Sequence, residues 1–226
     1  MKGGRGVLCA AMPEGVFLPL LAYVAAAGVL TLTPGVDTAM VMRSSVAHGP
    51  RAGGAAAVGG AAGVLVWGAG AALGLTALLA ASTTAFNALK WLGAGYLMLL
   101  GVKLIAKPRA TMPAAAAADG VVDSRSGARD ALRRGFLTNV LNPKVGVFYV
   151  TFLPQFIPQG VDVAAFSLLL TGVHVLLTLV WFAALIAATV PIGRFLARPK
   201  VVRGLDRLTG LVFVAFGVKL AAARPA

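Results

Sequence analysis

Thr138-Asn139-Val140-Leu141-Asn142-Pro143-Lys144 sets a proline, a helix-capping amide and a cation inside an apolar stretch long enough to cross a membrane. Near the start of the chain, Thr33-Pro34-Gly35-Val36-Asp37 repeats the arrangement with an anion in place of the cation. A proline removes one backbone donor and clashes with the preceding turn, so a membrane helix that carries one is kinked or split there. In lipid an unpaired N–H or C=O is costly, and irregular backbone persists only where it is buried in protein or lines a polar cavity. Both stretches read as the start of a half-helix, with Thr33 and Asn142 as N-caps and Pro34 and Pro143 at the first helical position. Such an N-terminus carries unpaired N–H groups and attracts anions such as a carboxylate. Thr33, Pro34, Gly35, Asp37, Asn139, Asn142, Pro143 and Lys144 are therefore the expected binding residues.

The composition agrees with a membrane location. The chain has 226 residues, 59% of them hydrophobic, and a mean hydropathy of +0.88. Its net charge of +13 comes from basic residues placed between apolar segments. That placement is a topology signal of the positive-inside kind and not a nucleic-acid surface. The single cysteine, Cys9, excludes an intrachain disulfide and a CxxC redox pair. With His48 and His174 as the only histidines and no HExxH, neither a bound metal nor another cofactor is expected. No GxSxG is present and no serine stands in a convincing relation to His174, so the chain does not read as an enzyme.

Taken in order, residues 1–14 read as a loose leader, with Met12 an alternative start. Six spans then follow: Gly15 to Met42, broken at Pro34; Gly53 to Ala81; Phe86 to Ala106; Gly135 to Ile157, broken at Pro143; Val163 to Val190; and Gly204 to Ala222. Gly59/Gly63 and Gly70/Gly74 have the small-xxx-small spacing of close helix packing. Trp91 and Tyr96 read as interface anchors. Residues 107–134 have the composition of a flexible loop between two halves.

The halves resemble each other. Laid without gaps, Leu92 to Ala106 matches Leu208 to Ala222 and aligns Gly101-Val102-Lys103-Leu104 with Gly217-Val218-Lys219-Leu220. Each half, 15–106 and 135–226, also begins with a proline-broken helix. An odd number of spans per half forces the copies into opposite orientations, the inverted-repeat plan of many secondary transporters. Arg43, Arg51, the basic residues of 107–134 and those from Arg194 to Arg207 fall on one side, which the positive-inside rule makes cytoplasmic, with both termini outside. Pro34 and Pro143 each lie nine positions from that boundary, at Arg43 and Arg134. At ~1.5 Å per residue this is a depth of ~13 Å, near the middle of the bilayer.

Charge in an apolar segment is usually functional. Asp37 is expected to face a substrate ammonium or take up a coupling proton; the alternative is that it complements a helix N-terminus or pairs with Lys144. A cation at a half-helix N-terminus suggests a carboxylate partner for Lys144, either Asp37 or the substrate. Asn139 and Asn142 offer hydrogen bonds to substrate or between helices. His174 is either a proton-relay group or a satisfied buried side chain.

At these residues the chain resembles the LysE/RhtB family of amino-acid exporters. The likeness rests on TPGVD at Thr33 to Asp37, on GFLTNVLNPK at Gly135 to Lys144 continuing to FLPQF at Phe152 to Phe156, and on the GVKL ends of the third and sixth helices. Where family members commonly read PGP, Val36 takes the place of the second proline. The resemblance implies a secondary exporter of amino acids or close derivatives in the cytoplasmic membrane, coupled to protons by antiport and compatible with a homodimer. The alternative is a metal-cation exporter of similar topology, against which the poor ligand content argues.

Overall fold

Proline and glycine divide this chain where its apolar runs alone would not. The computed structural model describes residues 14–110, 127–188 and 198–222, and among these every regular element is helical. The leader, the centre of the linker and the segment 189–197 lie outside the described residues. Helix α1 (Glu14–Leu32) stops before Thr33-Pro34-Gly35, and α2 (Val36–His48) follows. Then come α3 (Pro50–Ala81), α4 (Thr83–Ala106) and α5 (Ala128–Val140). After a break at Leu141-Asn142 the chain continues as α6 (Pro143–Val147), a π-helical turn (Phe148–Phe152) and a 3-10 turn (Leu153–Phe156). Helices α7 (Val163–Ala187) and α8 (Pro199–Ala222) complete the described chain.

Among the described residues, three helices are long and apolar enough to cross a membrane, over Gly15–Leu32, Pro50–Gly74 and Val163–Ala187, with a shorter apolar stretch at Trp91–Ala106. Their outward faces are apolar: Leu18, Leu92, Leu99, Leu176 and Val180 are all exposed. The fourth expected span starts earlier than its apolar run, since α5 begins at Ala128 and carries Arg129, Arg133 and Arg134 on its first turns.

The two breaks differ in construction. Asn142 caps α6 as expected: its side chain accepts from the Lys144 backbone N–H at 3.0 Å, with Pro143 in the first turn. At the first break the cap is Gly35 and not Thr33, and Pro34 lies within the break. Thr33 still follows the register of α1, donating its backbone N–H to the Val29 carbonyl at 3.1 Å and its hydroxyl to the same oxygen at 2.6 Å. The extended Gly35 then turns the chain into α2 without any side-chain cap. Helix α2 ends at Gly49, whose φ of +84° is a conformation that favours glycine.

Small residues bring the helices together. A Cβ on Gly59 would lie 2.0 Å from the Leu132 carbonyl oxygen, and one on Gly135 would lie 2.1 Å from the Ala56 carbonyl oxygen, so α3 and α5 pack backbone against backbone. Gly63 is filled in the same way by Asn139, and Gly68 by Thr171 of α7. Gly70 and Gly74 depart from the expectation: nothing lies within 4 Å of a Cβ added at either, because that part of α3 has run past α5. Helices α4 and α8 meet at Gly101 and Gly210, each added Cβ falling 2.6 Å from the other's carbonyl oxygen.

Beside the second break, Tyr23, Phe148, Phe152, Phe156 and Phe213 form a buried aromatic cluster with ring centroids 5.3–5.7 Å apart. Each such pair contributes about 0.5–1.5 kcal/mol beyond its area, which steadies a segment whose backbone leaves regular α-helical pairing.

Arg109, just past α4, clamps Asp206 of α8. Its backbone N–H donates to Oδ2 at 2.9 Å and its Nε at 2.8 Å, while Nη2 meets Oδ1. Asp206 is fully buried whereas the Arg109 side chain is 37% exposed, so water partly screens the pair. Losing a charged hydrogen bond of this kind costs about 1.5–3 kcal/mol. Asp206→Ala is expected to lower the thermal midpoint in detergent, and Arg109→Gln to add little on top of it; a full additive loss in the double variant would show that the two residues act separately.

Candidate functional site

The breaks interlock. Pro34 has no N–H to offer the Leu30 carbonyl, and the end of α1 leaves the Thr33 carbonyl free as well. Lys144 supplies both missing donors, its Nζ bonding Leu30 O at 2.7 Å and Thr33 O at 2.9 Å. The lysine at the second break thus repairs the first. Its charge stands at the C-terminus of α1, where the helix dipole favours a cation. The partner expected from its place in α6 was a carboxylate; the partners found are backbone carbonyls.

Asn142 ties the anion in. Its Nδ2 donates to Asp37 Oδ2 at 2.6 Å while its Oδ1 holds the Lys144 backbone N–H. Asp37 and Lys144 are therefore joined through Asn142 and not by a direct ion pair. The N-terminus of α6 is occupied by its own asparagine. The N-terminus of α2 carries no side-chain cap, and Lys144 Nζ lies 3.9 Å from where a Gly35 Cβ would be.

These groups line a cavity of about 40 Å³, together with Leu30, Val64, Val145 and Phe182. At about 10–15 Å³ per water this holds roughly three waters, less room than an amino acid needs. Three lining oxygens are buried without a hydrogen-bond partner: Thr31 Oγ1, Asp37 Oδ1 and Asn139 Oδ1. An unpaired buried acceptor is expensive, and the acceptor-only Asp37 Oδ1 and Asn139 Oδ1 on one space, with a Thr31 hydroxyl that can donate or accept, suit a donor such as an ammonium group.

Of the expected residues, Thr33, Gly35, Asp37, Asn139 and Lys144 line the cavity, and Asn142 supports it from behind. Pro34 is buried in the break, and Pro143 faces outward beside Trp67 and Tyr96. His174 also lines the cavity; its Nδ1 meets the Tyr149 hydroxyl at 3.2 Å and its ring stacks on Tyr149. The sequence reading missed Thr31, Thr178 and the layer behind Thr33. There, Thr209 of α8 shares a short hydrogen bond with the Thr33 hydroxyl, one turn from the Asp206 clamp. A lone acid between Arg203 and Arg207 at the head of an apolar helix was the available signal for Asp206.

Comparison with known proteins gives the family of the chain. The family model for LysE type translocators matches residues 28–224. An uncharacterized membrane protein of Bacillus subtilis, YrhP, is 32% identical over 88% of this chain and 97% of its own. A leucine efflux protein of Klebsiella pneumoniae is 32% identical over 90% of this chain and 95% of its own. A homoserine/homoserine lactone efflux protein of Salmonella typhi is 30% identical over 91% and 97%. No solved structure matches the chain. Both breaks and every lining residue fall inside the matched region, and the chain belongs to the LysE type translocators, multi-pass membrane transporters related to amino-acid efflux proteins of the RhtB kind.

Proposed function

We propose that this protein is a proton-coupled exporter of amino acids or close derivatives across the cytoplasmic membrane, with its site at the interlocked breaks. The observation that carries the reading is a cavity in which Asp37 Oδ1 stands unpartnered, with Lys144 as the lining cation. Those are receptors for an ammonium and a carboxylate at one centre. The efflux proteins among the relatives support amino acids as cargo. Asp37 holds either a proton or the substrate ammonium, and this competition is what couples export to proton entry. His174 is the next proton-carrying group on the same cavity.

The architecture proposed for this task is six spans in two inverted halves, 15–106 and 135–226, joined by the cytoplasmic linker 107–134, with both termini outside. The contacts between α4 and α8 support it. Gly101 approaches Gly210 and Val214; moving each residue to its equivalent in the other half gives Gly217 against Ala94 and Met98, and those contacts are present. A two-fold relation between halves produces such reciprocal pairs.

The test is efflux from cells preloaded with labelled amino acids. Export above that of cells lacking the chain, abolished by collapsing the proton gradient, is expected. No efflux of any amino acid by a well-expressed native chain would overturn the reading, and gradient-independent efflux would overturn the coupling.

A further inference from the structure

The remaining walls of the cavity bear on which amino acids it takes. Among the described residues, Asp37 and Lys144 are the charged groups of the lining, and under the export reading both are used by the substrate's own ammonium and carboxylate. The rest of the lining that a substrate side chain could meet is Leu30 from α1, Val64 from α3, Val145 from α6 and Phe182 from α7, each no more than 5% exposed. Thr31, Thr38 and Thr178 add hydroxyls but no charge. His174 is turned to Tyr149 through Nδ1 and stacked on it. The ion pair Arg109–Asp206 is not part of the lining and is closed on itself.

We propose, resting on the export reading, that the site takes amino acids with uncharged side chains and refuses basic and acidic ones, and that Phe182 sets the size limit. A lysine side chain would bring a second ammonium among valine, leucine and phenylalanine with no counter-charge, and burial of an unpaired ion is far costlier than any methylene. A glutamate side chain would bring a second carboxylate to a lining whose cation, Lys144, is taken by the substrate's own carboxylate, and would stand near the Asp37 carboxylate. Aliphatic and hydroxylated side chains face neither penalty, since an apolar pocket rejects an added hydroxyl only weakly. Phe182 is held in place by a second apolar cluster, formed with Val41, Ala56 and Leu185. It is the bulkiest of the apolar lining residues.

The experiment is transport by the purified full chain in proteoliposomes under an imposed proton gradient, with labelled leucine, threonine, lysine and glutamate. Leucine and threonine are expected to move, and lysine and glutamate at least about tenfold more slowly. Lysine or glutamate moving as fast as leucine would overturn the proposal while leaving the export reading intact; movement of none of the four would sink the export reading and this proposal with it. Phe182→Leu is expected to raise the phenylalanine to leucine ratio several-fold. An unchanged ratio in a variant that still transports leucine would remove Phe182 from its role.

Discussion

Asp37→Asn is expected to reduce export at least about a hundredfold at matched expression, with the fold intact. The substitution keeps the shape of the side chain and an oxygen able to accept from Asn142 Nδ2, now 2.6 Å away, so the interlock of the breaks survives. What disappears is the negative charge facing the unfilled space, and with it the counter-ion for an ammonium. Removing one partner of a buried charge pair costs about 3–5 kcal/mol, two or more decades in rate. Asp37→Glu should recover part of the activity, because charge returns with displaced geometry. Efflux by the Asp37→Asn variant within about twofold of native would show that Asp37 only steadies α2. Exchange of labelled substrate across a membrane with no proton gradient separates binding from coupling: if Asp37 carries both, it fails together with net export.

The second large effect is on folding. Gly59→Val puts a branched side chain where the Leu132 carbonyl oxygen stands 2.0 Å from the first carbon and the Phe136 backbone nitrogen 2.8 Å. Both neighbours are helix backbone, which cannot turn aside as a side chain can. Overpacking in cores costs about 1–3 kcal/mol when side chains can adjust, and here α3 and α5 must separate, so the loss exceeds the upper figure. About 3 kcal/mol corresponds to roughly 10 °C in melting midpoint for a chain of this size. Gly70→Val is the matched control on the same helix, with nothing within 4 Å of the new Cβ, and should melt as native does. Equal melting of the two variants would refute the backbone seam. Because Gly63 seats Asn139, whose Oδ1 and Cβ would lie 2.7 and 2.8 Å from an added Cβ, Gly63→Ala must shift Asn139 and should disturb the site as well as the packing around it.

The local half of this architecture was legible from residues alone. Pro34 and Pro143 mark the breaks because each stands deep in an apolar run beside a capping residue and a charge, whereas Pro19, close to the start of α1, leaves that helix unbroken, and Asn142 reads as a cap because an amide before Pro-Lys fits that place. Asp37 stood out because acids are rare in apolar runs. The partnerships were not legible. Lys144 bonds carbonyls more than a hundred positions away, and periodicity carries no information about which backbone atoms another helix has left unpaired. Thr33 read as a cap because threonine before proline fits the pattern; its hydroxyl instead went back to Val29, a local competitor of equal chemistry. Asp206 was hidden by its basic neighbours, whose charges dominated the reading of that segment as topology.

The seam between α4 and α8 has a mechanical consequence. With Gly101 and Gly210 in contact through their main chains and Met98, Ile105 and Val214 packed tightly beside them, sliding one helix past the other would drive backbone into backbone. Under the export reading the two helices would act as a stator. Any stroke that widened the 40 Å³ space would then fall to the parts with joints in them: α1 against α2 at Pro34, and α5 against α6 at Pro143. Lys144 spans from the second break to the carbonyls of the first, so under the export reading its bonds must part before the first joint turns.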